Sequence, residues 1–257
     1  MSWQIKNIKK FQANQPIFIE GLPGIGNVGK VVIDFLIEEI KAKKIMELFS
    51  FSLPNSVFVN EKNLVDLPNI EIYHKKIGKK DFFFLTGDVQ PVDERSSYEF
   101  AEKLLDVIQQ YNCQEIITLG GIGLNEVPKH PKVYCTGNSR ALISQFKKHG
   151  AKTNVYGVVG PIVGISGLLL GLSQRRKISA ASLLAETFGH PMYLGLKGAK
   201  EILKVLTHQY NLNISLKDLD KEIREIEADM KSSSDPLSGK HKALSKIKKF
   251  TETSYIG

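Results

Sequence analysis

The stretch PIFIEGLPGIGNVGK, residues 16–30, decides the fold. Its apolar start predicts a buried strand, its glycine cluster predicts a sharp turn, and the amphipathic residues 31–40 that follow predict a helix. Gly24, Gly26 and Gly29 form the pattern G-x-G-x-x-G at this junction, where dinucleotide-binding folds carry it. Glycine also permits a tight turn and close packing of helix on strand, and the free N–H groups at a helix start favour an anion.

A dinucleotide fold needs one further element, an acidic residue about 20 positions later at the end of a second strand. Glu47 lies near that distance, but it falls early in its apolar run. The residues after it predict a β-rich segment and not a second strand-helix unit. The junction therefore favours close glycine packing, with a residual anion pocket, over an NAD or FAD site.

Composition indicates a globular protein with room for one large α/β domain, or one domain and an appendage, in its 257 residues. The net charge of +8 favours an acidic partner without implying nucleic acid. Cys113 and Cys135 have neither metal-site spacing nor a disulfide framework, so the sequence predicts a reducing cytoplasm. The apolar residues 155–172 approach the length of a membrane span, but Pro161 and repeated glycines divide them into a strand, a loop and a helix start.

Hydrophobic periodicity predicts alternating strands and helices along the chain. The predicted strands lie at residues 45–53, 56–60, 70–77, 81–86, 115–119, 133–136 and 156–159. The predicted helices after residue 40 lie at residues 94–111, 140–148 and 195–210, with Asp93 or Ser96 capping the first of these and Ser139 the second. Glycine-bearing loops are predicted at residues 21–29, 87–91 and 120–123, and a fourth follows Val159.

In an open α/β sheet such loops converge at the carboxyl ends of the strands, where ligands bind. The residues that could form a ligand pocket there are Gly24, Gly26, Asn27, Gly29, Asp88, Gln90, Gly121 and Glu186. They predict no nucleophile–base pair and no metal site, and Ser166 lies one residue short of a G-x-S-x-G elbow. We therefore expect no catalytic residues and no cofactor, while a nucleotide- or nucleoside-binding enzyme that uses these loops, of phosphorylase or ligase type, remains the alternative.

The chain changes character after residue 212, which predicts an α/β domain over residues 1–212 and an extension over residues 213–257. The extension begins with a helix that has a narrow apolar stripe, typical of a helix on a subunit or partner surface. The stripe consists of Leu216, Leu219, Ile223, Ile226 and Met230. A Ser-rich linker at residues 232–239 and a lysine-rich tail follow. No stacking aromatics interleave with those lysines, so we expect no nucleic-acid partner.

Five motifs in order resemble the PAC2 family, the archaeal relatives of eukaryotic proteasome assembly chaperone 2. They are EGLPGIGNVGK (20–30), TGDVQP (86–91), LGGIG (119–123), GPIVGISGLLLG (160–171) and AETFGHP (185–191). The resemblance covers residues 16–206. It implies a three-layer α/β/α sandwich with a mixed central sheet, similar to nucleoside phosphorylases and peptidyl-tRNA hydrolases, and a C-terminal helical extension. It also implies a non-enzymatic homo-oligomer that binds proteasome α-subunits or another protein complex.

Some members of this family bind the α-ring through a C-terminal hydrophobic-Tyr-X tail. The corresponding residues here are Tyr255, Ile256 and Gly257, so the tyrosine is third from the end and Ser254 precedes it. This shifts the register by one residue, about 3.3 Å in an extended chain. The resemblance implies that these three residues bind the protein partner.

Overall fold

The computed structural model describes residues 3–60, 62–191 and 193–232. The chain divides into two compact units, with the division between Leu212 and Asn213. Within the described ranges, no helix combines the length and the apolar character that a bilayer crossing requires.

The first unit is built on one mixed sheet of eight strands in the order β1-β3-β6-β7-β2-β8-β10-β9. The strands are β1 (Gln4–Asn7), β2 (Ile17–Glu20), β3 (Lys43–Phe49), β4 (Phe58–Val59), β5 (Val65–Asp66), β6 (Ile70–Ile77), β7 (Lys80–Gly87), β8 (Glu115–Leu124), β9 (Val133–Gly137) and β10 (Ser179–Phe188). The four central strands β7, β2, β8 and β10 are parallel, and the outer pairs are antiparallel. Strands β4 and β5 form a separate two-stranded ribbon.

Helices cover both faces of this sheet. They are α1 (Val28–Glu39), α2 (Glu94–Gln110), α3 (Arg140–Lys148), α4 (Ile165–Arg175) and α5 (Leu196–Tyr210), and the second unit contains α6 (Lys217–Ser232). Alternate residues of β7 point to opposite faces: Phe83 belongs to the core with Phe100 of α2, whereas Phe82 packs edge-on against Tyr210 of α5. Helix α2 packs on α4, and α5 packs on α1 and α3. The predicted three-layer α/β/α sandwich with a mixed sheet is confirmed.

The predicted helix caps are also present. The Asp93 carboxylate accepts a hydrogen bond from the backbone N–H of Ser96 at 2.9 Å, which begins α2. The Ser139 hydroxyl accepts one from the backbone N–H of Leu142 at 3.4 Å, which begins α3. Each cap satisfies one of the N–H groups that a helix start leaves without an intrahelical partner.

Two predicted elements are wrong. The predicted glycine loop at residues 120–123 is strand, because β8 continues to Leu124 and pairs with β10 along its whole length. Backbone pairing requires no side chains, so a glycine-rich segment can extend a central strand. The predicted strand at residues 156–159 is a turn, in which Gly157 has φ +77° and Tyr156 is fully exposed.

The topology around β2 excludes a dinucleotide-binding unit. Such a unit needs a second parallel strand after the first helix. Here β3 follows α1 but lies near the sheet edge, antiparallel to both β1 and β6. The carboxylate of Glu47, in the middle of β3, pairs with the Lys44 ammonium at 2.7 Å.

Candidate functional site

A cleft of about 580 Å³ opens at the carboxyl ends of β2 and β8. Its walls come from residues 22–25, from residues 119–123 of β8, from the loop at residues 158–164, and from the first turn of α4. The volume is within the range of small-ligand sites, and the carboxyl edge of parallel strands is where such sites occur.

Four of the eight predicted pocket residues line this cleft: Gly24, Gly29, Gln90 and Gly121. The other four, Gly26, Asn27, Asp88 and Glu186, are outside its lining. The Asp88 carboxylate instead accepts a hydrogen bond from the backbone N–H of Asn69 at 3.2 Å, and burial raises its pKa. The Glu186 carboxylate accepts hydrogen bonds from the Lys132 N–H at 2.9 Å and the Tyr134 hydroxyl at 3.2 Å.

Two glycines of the G-x-G-x-x-G pattern, Gly26 and Gly29, allow the start of α1 to approach the sheet closely. A Cβ at Gly29 would lie 2.4 Å from the carbonyl oxygen of Leu119 in β8. Gly26 has φ +61°, and a Cβ there would lie 2.7 Å from the hydroxyl of Thr187 in β10. Both positions require glycine for packing alone, which agrees with the close glycine packing expected at this junction.

Gln90 braces the cleft from one side. Its Oε1 accepts a hydrogen bond from the Ile165 N–H at 3.1 Å, and its Nε2 donates to the carbonyl oxygen of Pro23. The side chain therefore ties the glycine loop after β2 to the start of α4. It also occupies one of the N–H groups with which a helix start could bind an anion.

The cleft has a buried carboxyl group behind it. Glu20 ends β2 and is completely buried. One carboxylate oxygen accepts a hydrogen bond from the Leu22 N–H at 3.0 Å, and the other accepts one from the Ser166 hydroxyl at 2.9 Å. Burial raises the pKa of Glu20 to about 7, and the two hydrogen bonds oppose that shift without cancelling it.

Sequence reasoning did not select Glu20, although a signal was present. It is the single acidic residue at the end of an otherwise apolar strand, and a charge in a strand buried on both faces needs a reason. Ser166 draws attention in the sequence only as part of an incomplete nucleophile elbow. The structure places its hydroxyl in the lining of the cleft, in contact with Glu20.

The lining carries no charge. Among the described residues that form it, Gln90 and Ser166 are the polar side chains and the remainder are apolar or glycine. Lys30, the lysine that follows the glycine loop, is outside the lining and pairs with Asp34 at 2.9 Å. A phosphate in this cleft would therefore meet no cationic side chain from the described part of the chain.

A second feature lies on the ribbon of β4 and β5, away from the cleft lining. Six large apolar side chains between residues 51 and 67, in these strands and in the segments that flank them, are each more than half exposed, and we call them the apolar ribbon. They are Phe51, Val57, Val59, Leu64, Val65 and Leu67. Where exposed apolar side chains form a patch, the patch often marks an interaction site.

The predicted C-terminal residues are only partly described. Leu219 and Ile223 lie in α6, where Leu219 is buried and Ile223 is half-buried, and Leu216, also half-buried, immediately precedes the helix. Ile226 and Met230 belong to the same helix. Tyr255, Ile256 and Gly257 lie outside the described residues. Across the described ranges, no cluster of three or more His, Cys, Asp or Glu side chains is placed to hold a metal ion.

The mixed sheet and its two helical layers define an α/β sandwich protein with an uncharged cleft at the carboxyl ends of its parallel strands. The chain belongs to the PAC2 family, whose model matches residues 18–233. The resemblance drawn from the five sequence motifs is thereby confirmed.

Solved structures and relatives agree with this assignment. PbaB of Pyrococcus furiosus, described as an archaeal proteasome activator, is 34% identical, with a TM-score of 0.83 over 90% of this chain and 98% of that one. PbaA of the same organism, an archaeal homologue of proteasome-assembly chaperone, is 26% identical, with a TM-score of 0.71 over 88% and 95% of the two chains. Uncharacterized protein MJ1210 of Methanocaldococcus jannaschii is 28% identical over 97% of this chain and 88% of its own length.

Proposed function

We propose that this protein is a non-enzymatic, homo-oligomeric adaptor of the proteasome-assembly-chaperone type, which acts in the cytoplasm and binds proteasome α-subunits through its C-terminal tail. The observation that carries the proposal is the similarity to PbaB, which extends over 90% of this chain and 98% of that protein. The free thiols of Cys113 and Cys135 suit a reducing compartment.

The apolar ribbon supports the binding of protein partners. A two-stranded ribbon is marginally stable by itself in water. The turn of this ribbon is held by the Asn60 side chain, which donates a hydrogen bond to the Asp66 carboxylate at 2.9 Å and accepts one from the Leu64 N–H at 3.1 Å. We assign the ribbon to contacts between copies of the chain. Leu216, just before α6, and Ile223 within it are half-buried members of the predicted stripe and would add to a subunit or partner surface.

The tail would supply the specific contact with α-subunits. Tyr255 and Ile256 provide an aromatic ring and an aliphatic side chain for a pocket between neighbouring subunits, followed by Gly257. A single tail of this size gives a weak contact. Several tails on one oligomer raise the avidity by increasing the effective concentration of each remaining tail.

Binding to immobilised proteasome α-subunits tests the proposal. A chain that ends at Ser232 should keep the circular dichroism of the full chain and lose nearly all binding, and Tyr255→Ala should lose most of it. Phe250→Ala is the matched control, because it removes an aromatic ring from the same tail outside the three binding residues, and it should bind as the full chain does. Undiminished binding by the chain that ends at Ser232 would refute the role of the tail.

A further inference from the structure

When Glu20 is ionised, no described cationic side chain balances its charge. Its two oxygens accept hydrogen bonds from Leu22 and Ser166, but no described lysine, arginine or histidine forms an ion pair with it. Buried carboxylates in proteins are normally paired with a cation or a metal ion. Such a carboxyl either stays protonated or, when it ionises beside a cleft, can be balanced by a cationic ligand.

Ser166 connects this carboxyl to the cleft. Its hydroxyl donates its one proton to Glu20 and also lines the cleft. A hydroxyl that donates its proton can still accept hydrogen bonds through its oxygen. The group that fits against Ser166 is therefore a hydrogen-bond donor, and an ammonium is a donor that also carries the missing charge.

The same surroundings disfavour an anion. The described lining has no cationic side chain, and the N–H of Ile165 at the start of α4 is already bonded to Gln90 at 3.1 Å. An anion in the cleft would also lie near the like charge of ionised Glu20, and like charges at close range destabilise each other.

The rest of the ligand must be apolar. The walls of the cleft include Ile25, Ile122, Val158, Ile162 and Val163. Three of these side chains remain substantially exposed: Ile25 by 52%, Val158 by 49% and Val163 by 82%. An apolar body seated between them would remove this surface from water, which is the main favourable term in binding a small organic group.

We propose that the cleft binds a primary ammonium on an apolar body, with the ammonium donating to the Ser166 hydroxyl and its charge balanced by Glu20. The ammonium belongs either to a free alkylamine or to the amino end of an apolar peptide. This site is independent of the C-terminal tail, and its failure would leave the proposed adaptor function untouched.

Three matched probes test the charge requirement: isopentylamine, isopentyl alcohol and isocaproate, which carry an ammonium, a hydroxyl and a carboxylate on closely similar apolar bodies. Ligand-observed NMR titrations at pH 8 should show the amine binding at least ten-fold more tightly than the alcohol, and no binding of the carboxylate. Because Glu20 has its pKa at about 7, the amine should bind about ten-fold more weakly at pH 6 as the binding-competent ionised fraction falls.

The variant Glu20→Gln keeps the size and an acceptor oxygen but removes the charge. It should reduce the ratio of amine to alcohol affinity to about 1, while Glu99→Gln on α2, outside the cleft lining, should leave the ratio unchanged. The pH dependence of amine binding to the unmodified protein tests the requirement for ionised Glu20 without any variant. The proposal can therefore be refuted even if Glu20→Gln does not fold.

The source of the amine is decided with the tripeptide Leu-Val-Ile amide. If the peptide binds more tightly than isopentylamine and loses this binding when its amino end is acetylated, the site binds peptide amino ends. If isopentylamine binds more tightly than the peptide, the site binds free amines. Equal binding of amine and carboxylate, no binding of the amine at pH 8, or an amine preference that survives Glu20→Gln would each overturn the proposal.

Discussion

The cleft and the apolar ribbon depart from ordinary burial in opposite directions: a carboxyl is buried beside the cleft, whereas apolar side chains are exposed in the ribbon. In the cleft, the Glu20 carboxyl is completely buried behind apolar walls. In the apolar ribbon, side chains such as Phe51, exposed by 76%, and Val59, exposed by 70%, face solvent. A buried charge and a large exposed apolar surface are the two departures from ordinary burial that most often have a functional reason.

The two regions also differ in how strongly the fold determines them. The cleft is built on central parallel strands and on glycines such as Gly29 and Gly121 that have no room for a side chain, so changes at those positions should be costly. The ribbon has two strands of two residues each, paired only with each other, so changes there should alter association more than stability. The expected changes in the free energy of unfolding therefore decrease from the cleft to the ribbon.

The largest effect is expected from Gly29→Ala. The added methyl group would lie 2.4 Å from the backbone oxygen of Leu119, which is on a central strand and cannot move aside. Overpacking of this kind should lower the free energy of unfolding by about 3 kcal/mol, measured by urea denaturation. Gly24→Ala, whose new methyl group would have open space around it, is the control and should change little. Equal stabilities for the two variants would contradict the packing role of Gly29.

Glu20→Gln should change how stability depends on pH. The folded-state pKa of Glu20 is about 7, above its ordinary value of 4.5, so between these values the unfolded chain binds fewer protons than the folded chain. The carboxyl therefore lowers the free energy of unfolding as pH rises from about 4.5 to about 7, by on the order of 3 kcal/mol in total. The variant should lack this decline in denaturation curves taken from pH 4.5 to 8. Parallel pH profiles for the variant and the original protein would show that Glu20 titrates normally.

A smaller effect is expected from Ser166→Ala. The hydrogen bond from Ser166 favours the ionised form of Glu20, so its loss should raise the pKa of Glu20 further. The free energy of unfolding at pH 8 should fall by about 1–2 kcal/mol, and by less at pH 5, where Glu20 is protonated. Ser97→Ala, which removes an exposed hydroxyl from α2, serves as the control and should be close to neutral. An equal decrease in the free energy of unfolding at pH 8 and pH 5 would show that Ser166 does not act through the charge on Glu20.

The smallest effect on stability is expected in the apolar ribbon. Replacement of Val59 and Leu67 by lysine should change the free energy of unfolding by no more than about 0.5 kcal/mol per site, because both side chains are exposed. Self-association should nevertheless be lost, since an apolar contact between copies cannot accommodate buried lysines. Sedimentation velocity measures this directly. Val92→Lys, at an exposed residue outside the ribbon, is the control, and the same sedimentation for all variants would remove the ribbon from the subunit interface.

The sequence predicted the sheet and most helices because their signals are local. The capping residues Asp93 and Ser139 and the apolar run of β7 could each be interpreted within a few residues. The end of β8 was missed because glycines usually terminate strands, whereas here the pairing with β10 carries the strand through them. The short apolar run at residues 156–159 predicts a buried strand, but it forms an exposed turn in which Val158 and Val159 line the cleft, a role that no local pattern reveals.

The candidate site was harder to predict for the same reason. Gln90 was selected because it follows a strand, and its brace between Pro23 and Ile165 depends on three segments meeting in space. The contact between Glu20 and Ser166 joins residues 146 positions apart. Such a pair becomes visible only once the strand order places β2 beside β8 and α4 over their ends.

The central claim is that this PAC2-family protein assembles with itself and captures proteasome α-subunits. Native mass spectrometry of the full chain mixed with purified α-subunits at micromolar concentration tests it most directly. The account predicts complexes that contain more than one copy of this chain together with α-subunits, and their absence for the chain that ends at Ser232. A spectrum that shows only single copies of the full chain, with α-subunits in separate peaks, would contradict it.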